Sequence, residues 1–151
     1  MQNLKSWIAF SLLCLSVLAA GQAMAAGDSS KPFAEHRIVL QISDPNPFKQ
    51  TLVLNVANNL LKAYGGPDKV DIEIVAFGPG LRLLFADNEN TSRIQGLADN
   101  GVRFAACNNT ITNMAKTLGS KPAINKNAVV VSAGVVRIIE LTDQGYTLIK
   151  P

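Results

Sequence analysis

The chain is short of the side chains that most catalytic sites use. Its 151 residues include two cysteines and one histidine, His36. A stable metal site needs several converging ligands, and a hydrolase triad needs a histidine beside its nucleophile. We therefore expect no metal site and no conventional hydrolase machinery.

The chain also has no large excess of positive or negative charge. The formal net charge of the chain is +3, and its lysines and arginines are scattered rather than grouped with aromatic residues. Nucleic-acid-binding domains usually carry a basic face or stripe, so we expect no nucleic-acid partner. Arg82 and Arg103 could hold an anion, but arginines on a helix and a strand are exposed by default, and we expect these two to be exposed. The turn Gly78-Pro79-Gly80 lacks a full dinucleotide fingerprint and the Lys-Ser or Lys-Thr pair of a P-loop, so we expect no cofactor.

The amino-terminal region has the features of a secretory signal peptide. Residues 7–20 carry no charged side chain, and the small-x-small sequence Ala-Met-Ala follows at 23–25. An apolar run of this length is short for a membrane span, which favours cleavage over a retained anchor. We expect residues 1–25 to be removed, residues 26–34 to form a polar tail, and the mature protein to lie in the periplasm or be secreted, without membrane attachment.

Removal of this segment leaves one thiol. Cys14 lies within it, so Cys107 is the single cysteine of the expected mature chain. One cysteine cannot form an internal disulfide, and the fold must therefore depend on its apolar core. The thiol itself must be buried, paired with a partner, or kept for chemistry.

Apolar runs and helical periodicities alternate along the rest of the chain. Continuous apolar runs predict strands at 36–42, at 70–77, in the segment ending at Cys107, at 128–131 and at 146–149. Periodicity predicts helices at 48–64, at 81–85, at 92–100, from Cys107 to Gly119, and at 135–141. The last segment is ambiguous because its β-branched residues favour a strand; we interpret it as a helix ended by Gly145. The alternation predicts one α/β domain over 35–151, with a mostly parallel five-stranded sheet and helices on both faces.

Periodicity also predicts which helical residues face the core. In the helix over 48–64 the expected inward stripe is Phe48, Leu52, Val56, Leu60 and Leu61. In the helix after Cys107 it is Ile111, Met114, Ala115 and Leu118. We expect Asn108, Asn109 and Thr110 to cap that second helix.

Three predicted loops, at 43–46, 78–80 and 107–109, follow strands, and ligands collect at the carboxyl edge of a parallel sheet. Cys107 lies between a strand and a helix, where the amides of the first helical turn favour a thiolate. The alternative is that Cys107 is a small buried hydrophobe. The candidate ligand-binding residues at this edge are Asp44, Gly78, Gly80, Asn108 and Asn109. Asp44 fits a turn before Pro45 equally well.

From about residue 36 onward the chain resembles the DsrE/DsrF-like family, which includes the YchN-type proteins and subunits of sulfur-relay complexes. The resemblance lies in the asparagines of the first helix, in the turn at 75–80, in the Gly-Val and Cys-Asn pairs at 101–108, and in the closing pattern at 134–146. It implies a three-layer α/β sandwich that forms a homo-oligomer, a trimer or a hexamer. In relay members it implies a cysteine, here Cys107, that receives sulfane sulfur from one protein and passes it to another.

Two functions remain open from the sequence. The first is a persulfide carrier or sulfurtransferase acting through Cys107, with thiol or persulfide proteins as donor and acceptor. The second is a non-catalytic oligomeric module that binds a small ligand or a partner, with Cys107 as a packing residue. An accessible, acidic sulfur at a helix N-terminus would favour the first, and a sulfur buried among Phe104, Ile111 and Val131 would favour the second.

Overall fold

The computed structural model describes residues 31–151, so the predicted signal peptide and most of the predicted tail lie outside the described residues. The elements, in chain order, are β1 (His36–Ile42), α1 (Pro47–Ala63), β2 (Val70–Ala76), a 3₁₀ helix (Gly78–Leu84), α2 (Thr91–Asp99), β3 (Arg103–Cys107), α3 (Asn108–Leu118), β4 (Ala128–Val131), α4 (Gly134–Asp143) and β5 (Thr147–Ile149).

The five strands form one sheet in the order β4-β3-β2-β1-β5, and every pairing is parallel. The predicted α/β class and the parallel five-stranded sheet are therefore confirmed. Parallel neighbours need crossover connections, and the intervening helices supply them. Because all strands run the same way, the loops that follow them gather at one edge.

Helices cover both faces of the sheet, but unequally. One face carries the larger core, to which α1, α2, α3 and the 3₁₀ helix contribute buried side chains. The other face carries α4, whose Ile138 and Leu141 pack on Val39, Val75 and Ala105 from the three central strands. We call this second side the α4 face.

The α4 face also buries charge. Asp71 and Glu73 of β2 are both buried. Arg103 donates from Nε to Glu73 at 3.0 Å and from Nη1 to Asp71 at 3.3 Å. Arg137 donates to Glu73, and the Tyr146 hydroxyl donates to Asp71 at 2.5 Å. The expectation that Arg103 is exposed is wrong, because buried carboxylates require charged partners and Arg103 supplies one.

The predicted inward stripe of α1 is wrong at its start. Phe48 is 85% exposed, and Leu52 is also exposed. The buried residues of α1 are Gln50, Val53, Leu54, Ala57 and Leu61. Gln50 tolerates burial because its side chain donates to the Pro45 carbonyl and accepts from Asn88. Because the side chain of Gln50 is hydrogen-bonded inside the protein, the buried stripe of α1 includes Gln50 and excludes Phe48.

The helix after β3 is more exposed than its periodicity predicts. Ile111 is the buried residue of α3, whereas Met114 and Ala115 are partly buried and Leu118 is exposed. The helix begins at Asn108 with Cys107 in the N-cap position. The prediction that the asparagines cap this helix is therefore wrong, because the chain is already helical at Asn108.

The ambiguous segment near the C-terminus is a helix, α4, as predicted. Its polar residues, Arg137 and Glu140, lie one turn apart, and Gly145 follows its end with a φ of 87°. Across residues 31–151, no helix is both long and apolar enough to cross a membrane.

Gly80 lies at a close backbone approach between the 3₁₀ helix and the end of β1. A Cβ atom at this position would lie 2.6 Å from the Ile42 carbonyl oxygen and 2.7 Å from the Ser43 Cα. Both obstacles are backbone atoms at the end of β1. A side chain at position 80 must therefore displace one segment from the other.

We expect Gly80→Ala to lower the free energy of unfolding by about 1–3 kcal/mol, the usual cost of overpacking. Chemical denaturation followed by circular dichroism measures it. Gly96→Ala is the matched control, since a Cβ there meets nothing within 4 Å. Because Gly96 lies in the middle of α2, Gly96→Ala should instead raise the free energy of unfolding by about 0.5–1 kcal/mol. Equal stability of Gly80→Ala and the native chain would contradict the close approach.

Candidate functional site

The loops that follow β1, β2 and β3 meet at the carboxyl edge. Gly80 packs on the end of β1, and the Gly78 amide donates to the Thr110 hydroxyl of α3 at 2.9 Å. The loop after β4 reaches the same place through Gly134. Four loops therefore surround the point at which β3 ends in Cys107.

Cys107 is the last residue of β3 and the N-cap of α3. It pairs with Val131 of β4, and its side chain lies on the same sheet face as that of Ala105, which packs under α4. The residue is only 5% exposed. The sulfur thus lies beneath the start of α4, on the opposite sheet face from Phe104 and Ile111.

Four hydrogen-bond donors from α3 and α4 favour the thiolate form of Cys107. They are the Thr110 hydroxyl and the backbone N–H groups of Gly134, Thr110 and Asn109. Burial, the largest single effect, raises the pKa of the thiol, but the hydrogen bonds together outweigh it, so the pKa of Cys107 is lowered. Two of the amides belong to the first turn of α3, whose N–H groups carry partial positive charge. The Asn109 amide also donates to the Ser132 carbonyl at 3.3 Å. The arrangement favours a thiolate, and we call it the thiolate cradle.

Gly134 closes the thiolate cradle from the α4 side. A Cβ at this position would lie 2.9 Å from the Phe77 Cβ and 3.3 Å from the Cys107 Cβ. Only a residue without a side chain lets the first turn of α4 approach the cysteine this closely. The amide of Gly134 can therefore reach the sulfur.

The other candidate residues take different places. Asp44 accepts from the Asn46 amide at 2.8 Å, which is a local turn on the surface, so it fits the turn interpretation. Asn108 and Asn109 are exposed above the cradle, and Asn109 contributes its amide rather than its side chain. Gly78 bears on the cradle through Thr110, and Gly80 holds the 3₁₀ helix against β1.

Sequence reasoning missed Thr110 and Gly134 as parts of the site. The sequence predicts Thr110 only as a cap, although its spacing of three residues from Cys107 places it one helical turn further on. Gly134 follows β4, and the three loops predicted at the carboxyl edge do not include the loop after β4. The strand order puts β4 beside β3, and this neighbour relation is not visible in the sequence.

The single histidine lies far from the cradle. His36 begins β1 at the amino edge of the sheet, and its ring stacks on Tyr64 with centroids 3.8 Å apart. Within residues 31–151, no group of three or more His, Cys, Asp or Glu side chains could hold a metal ion.

Two surface grooves accompany the site. One, of about 420 Å³, is lined by residues of β3, β4 and α4, among them Arg103, Arg137, Ala105, Val129 and Val131. Val131 is the strand partner of Cys107. The other, of about 740 Å³, lies between the end of α1 and α2, away from the cysteine. The first groove is therefore the one that bears on the site.

Comparison with known proteins gives the fold and no activity. No protein-family model matches the chain, and no curated protein matches it. Among solved structures, the chain is similar to MTH1491 from Methanobacterium thermoautotrophicum, a protein of unknown function, with 29% sequence identity and a TM-score of 0.68. The match covers 77% of this chain and 99% of that one. The similarity supports a well-defined α/β fold.

We expect Thr110→Val to raise the pKa of Cys107, because it removes a hydroxyl donor from the thiolate. The rate of alkylation by iodoacetamide, followed against pH, measures this. The midpoint should move to higher pH, and the rate at neutral pH should fall roughly threefold to tenfold. Thr117→Val, at an exposed position of the same helix, is the control and should leave the profile unchanged. An unchanged midpoint in Thr110→Val would contradict the role of the hydroxyl.

Proposed function

We propose that the protein is a sulfur carrier or sulfurtransferase that acts through a persulfide on Cys107. The observation that carries this proposal is the thiolate cradle, since the thiolate is the form of cysteine that attacks sulfur. A structural cysteine needs no set of converging donors. The resemblance to sulfur-relay proteins points to the same residue.

The proposed reaction is an exchange between thiols and balances without an oxidant. The Cys107 thiolate attacks the outer sulfur of a donor persulfide, R–S–SH, and the bond between the two donor sulfurs breaks. The products are Cys107–S–SH and the donor thiolate, R–S⁻. An acceptor thiolate then attacks the outer sulfur of Cys107–S–SH and releases the Cys107 thiolate, which returns to the cradle.

The cradle suits the departing form of the cysteine in the second step. When the acceptor takes the outer sulfur, negative charge develops on the Cys107 sulfur, and hydrogen bonding from Thr110 and Gly134 favours that charge. Preorganised donors at developing charge lower a barrier without reorganising. Thr110 is itself held by the Gly78 amide, so its hydroxyl is oriented before the reaction.

The burial of Cys107 favours the second candidate, a non-catalytic module that binds a small ligand or a partner. The residue is 5% exposed, and the groove beside α4 offers a separate surface with apolar and charged walls. In that case the cradle would only satisfy a packed thiol. The two functions differ in one measurable property, the reactivity of the thiol in the folded protein.

We expect the folded mature protein to gain one sulfur atom when it is incubated with a low-molecular-weight persulfide. Intact mass spectrometry should show the gain, and a reductant should remove it. Cys107→Ser is the control and should show no gain. If no adduct forms and the thiol alkylates only after unfolding, the carrier function is wrong and the binding module remains.

We also propose that the protein acts as a homo-oligomer, a trimer or a hexamer, outside the cytoplasm. An apolar α4 surface supports the oligomer. It consists of Val135, Val136 and Ile139 on the outer side of α4, with Val129 and Leu148 on the flanking edge strands. Ile139 is 53% exposed and Val129 is 66% exposed. Contiguous exposed apolar surface usually marks an interface. The signal-peptide prediction supports the location.

We expect the native protein to have a mass above that of a monomer in size-exclusion chromatography with light scattering. Ile139→Glu places a charge in the apolar α4 surface and should shift the protein to the monomer at the same concentration, because an unpaired charge is costly to bury. Leu118→Glu is the control, since Leu118 is equally exposed but lies on α3 across the sheet. A monomeric native protein, or equal effects of the two variants, would contradict this interface.

A further inference from the structure

The position of α4 on the sheet decides whether the thiolate cradle is complete. α4 supplies the Gly134 amide, and it is the only described helix on its face. Its apolar anchors are Ile138 and Leu141. Apolar contacts are not directional, so they hold the helix down without fixing how far it lies along the strands.

A charged contact fixes the position of α4 along the strands. Arg137 donates from Nε to Glu73 Oε1 at 2.7 Å and from Nη2 to Glu73 Oε2 at 2.8 Å. The two bonds engage both carboxylate oxygens, which is the fork geometry of a guanidinium. Such a pair fixes both the distance and the angle between its partners.

The partner of Arg137 is itself immobile. Glu73 is 3% exposed and lies in β2, every residue of which is buried. Arg103 of the neighbouring strand donates to the same carboxylate at 3.0 Å. Glu73 is thus a fixed point of the sheet, and Arg137 ties α4 to it.

Arg137 lies one helical turn after Gly134, so a shift at one residue is carried to the other. There is little room for such a shift, because the Gly134 backbone is packed against Phe77 and Cys107. If α4 moves away from the sheet, the amide of Gly134 moves away from the sulfur and its hydrogen bond weakens.

We propose that Arg137 is a positioning residue, whose fork on Glu73 sets the place of α4 on the sheet and thereby holds the Gly134 amide against the Cys107 sulfur. A buried ion pair contributes little net stability when compared with apolar packing, so the fixed geometry is its main effect here. The inference rests on the proposed function only through Cys107, and it concerns the acidity of the thiol rather than the transfer of sulfur.

The test compares Arg137→Lys and Arg137→Met in the folded mature protein, with the pH profile of Cys107 alkylation as the readout. Lysine keeps the positive charge but cannot engage both carboxylate oxygens through a fork. Positioning predicts that both variants move the midpoint to higher pH, by on the order of one pH unit. A simple charge effect predicts a shift in Arg137→Met alone, and that result would overturn the proposal.

Two further variants complete the experiment. Arg93→Lys is the control, because Arg93 contacts Asn55 at an exposed position on the other face and should leave the profile unchanged. Gly134→Ala leaves Arg137 and Glu73 intact but forces the start of α4 away from Cys107, so it should reproduce the shift. It decides the matter if Arg137→Met does not fold. A native profile in Arg137→Lys or in Gly134→Ala would overturn the proposal, whether or not the native protein takes up sulfur.

Discussion

The carboxylate of Glu73 in the middle of the sheet is the constraint on which the rest of the α4 face depends. A charge at this depth is tolerated only when it is paired and hydrogen-bonded. Arg103 of β3 and Arg137 of α4 both form ion pairs with Glu73, so one acidic residue joins a neighbouring strand and a covering helix. The opposite face is held by a larger apolar core, and no buried ion pair is found among its described residues. The ionic contact therefore determines where α4 lies, and α4 in turn covers the cysteine.

The candidate site lies at the carboxyl edge of this sheet. Parallel strands bring the loops after β1, β2, β3 and β4 to one edge, and Cys107 lies where one of them becomes a helix. Amides at a helix start, a hydroxyl one turn along and an amide from α4 then converge on one sulfur. None of these groups is unusual by itself. Their convergence needs the strand order as well as the local sequence, since Gly134 and Cys107 belong to loops of adjacent strands.

Sequence reasoning could predict what depends on local pattern. The bounds of β1 and β4, the helical state of α4 and the place of Cys107 between strand and helix all follow from apolar periodicity and from turn residues. It failed where a tertiary contact decides. The buried stripe of α1 includes Gln50 instead of Phe48, because Pro45 and Asn88 satisfy the amide of Gln50. The roles of Glu73 and Gly134 could not be predicted either, since each depends on residues distant in the chain.

The cradle that makes Cys107 acidic also limits how the sulfur can react. Three of its four donors are backbone amides, whose positions are fixed by the fold, and Cys107 is only 5% exposed. A persulfide places its outer sulfur about 2 Å beyond the cysteine sulfur. That atom needs space outside the cradle, either between the exposed side chains of Asn108 and Asn109 or toward the groove that Val131 lines. Nucleophilicity falls as the pKa of a thiol falls, so a strongly stabilised thiolate attacks slowly and leaves readily. A carrier with this site would need its donor to displace the start of α4, which covers the sulfur. It would release sulfur more easily than it takes sulfur up.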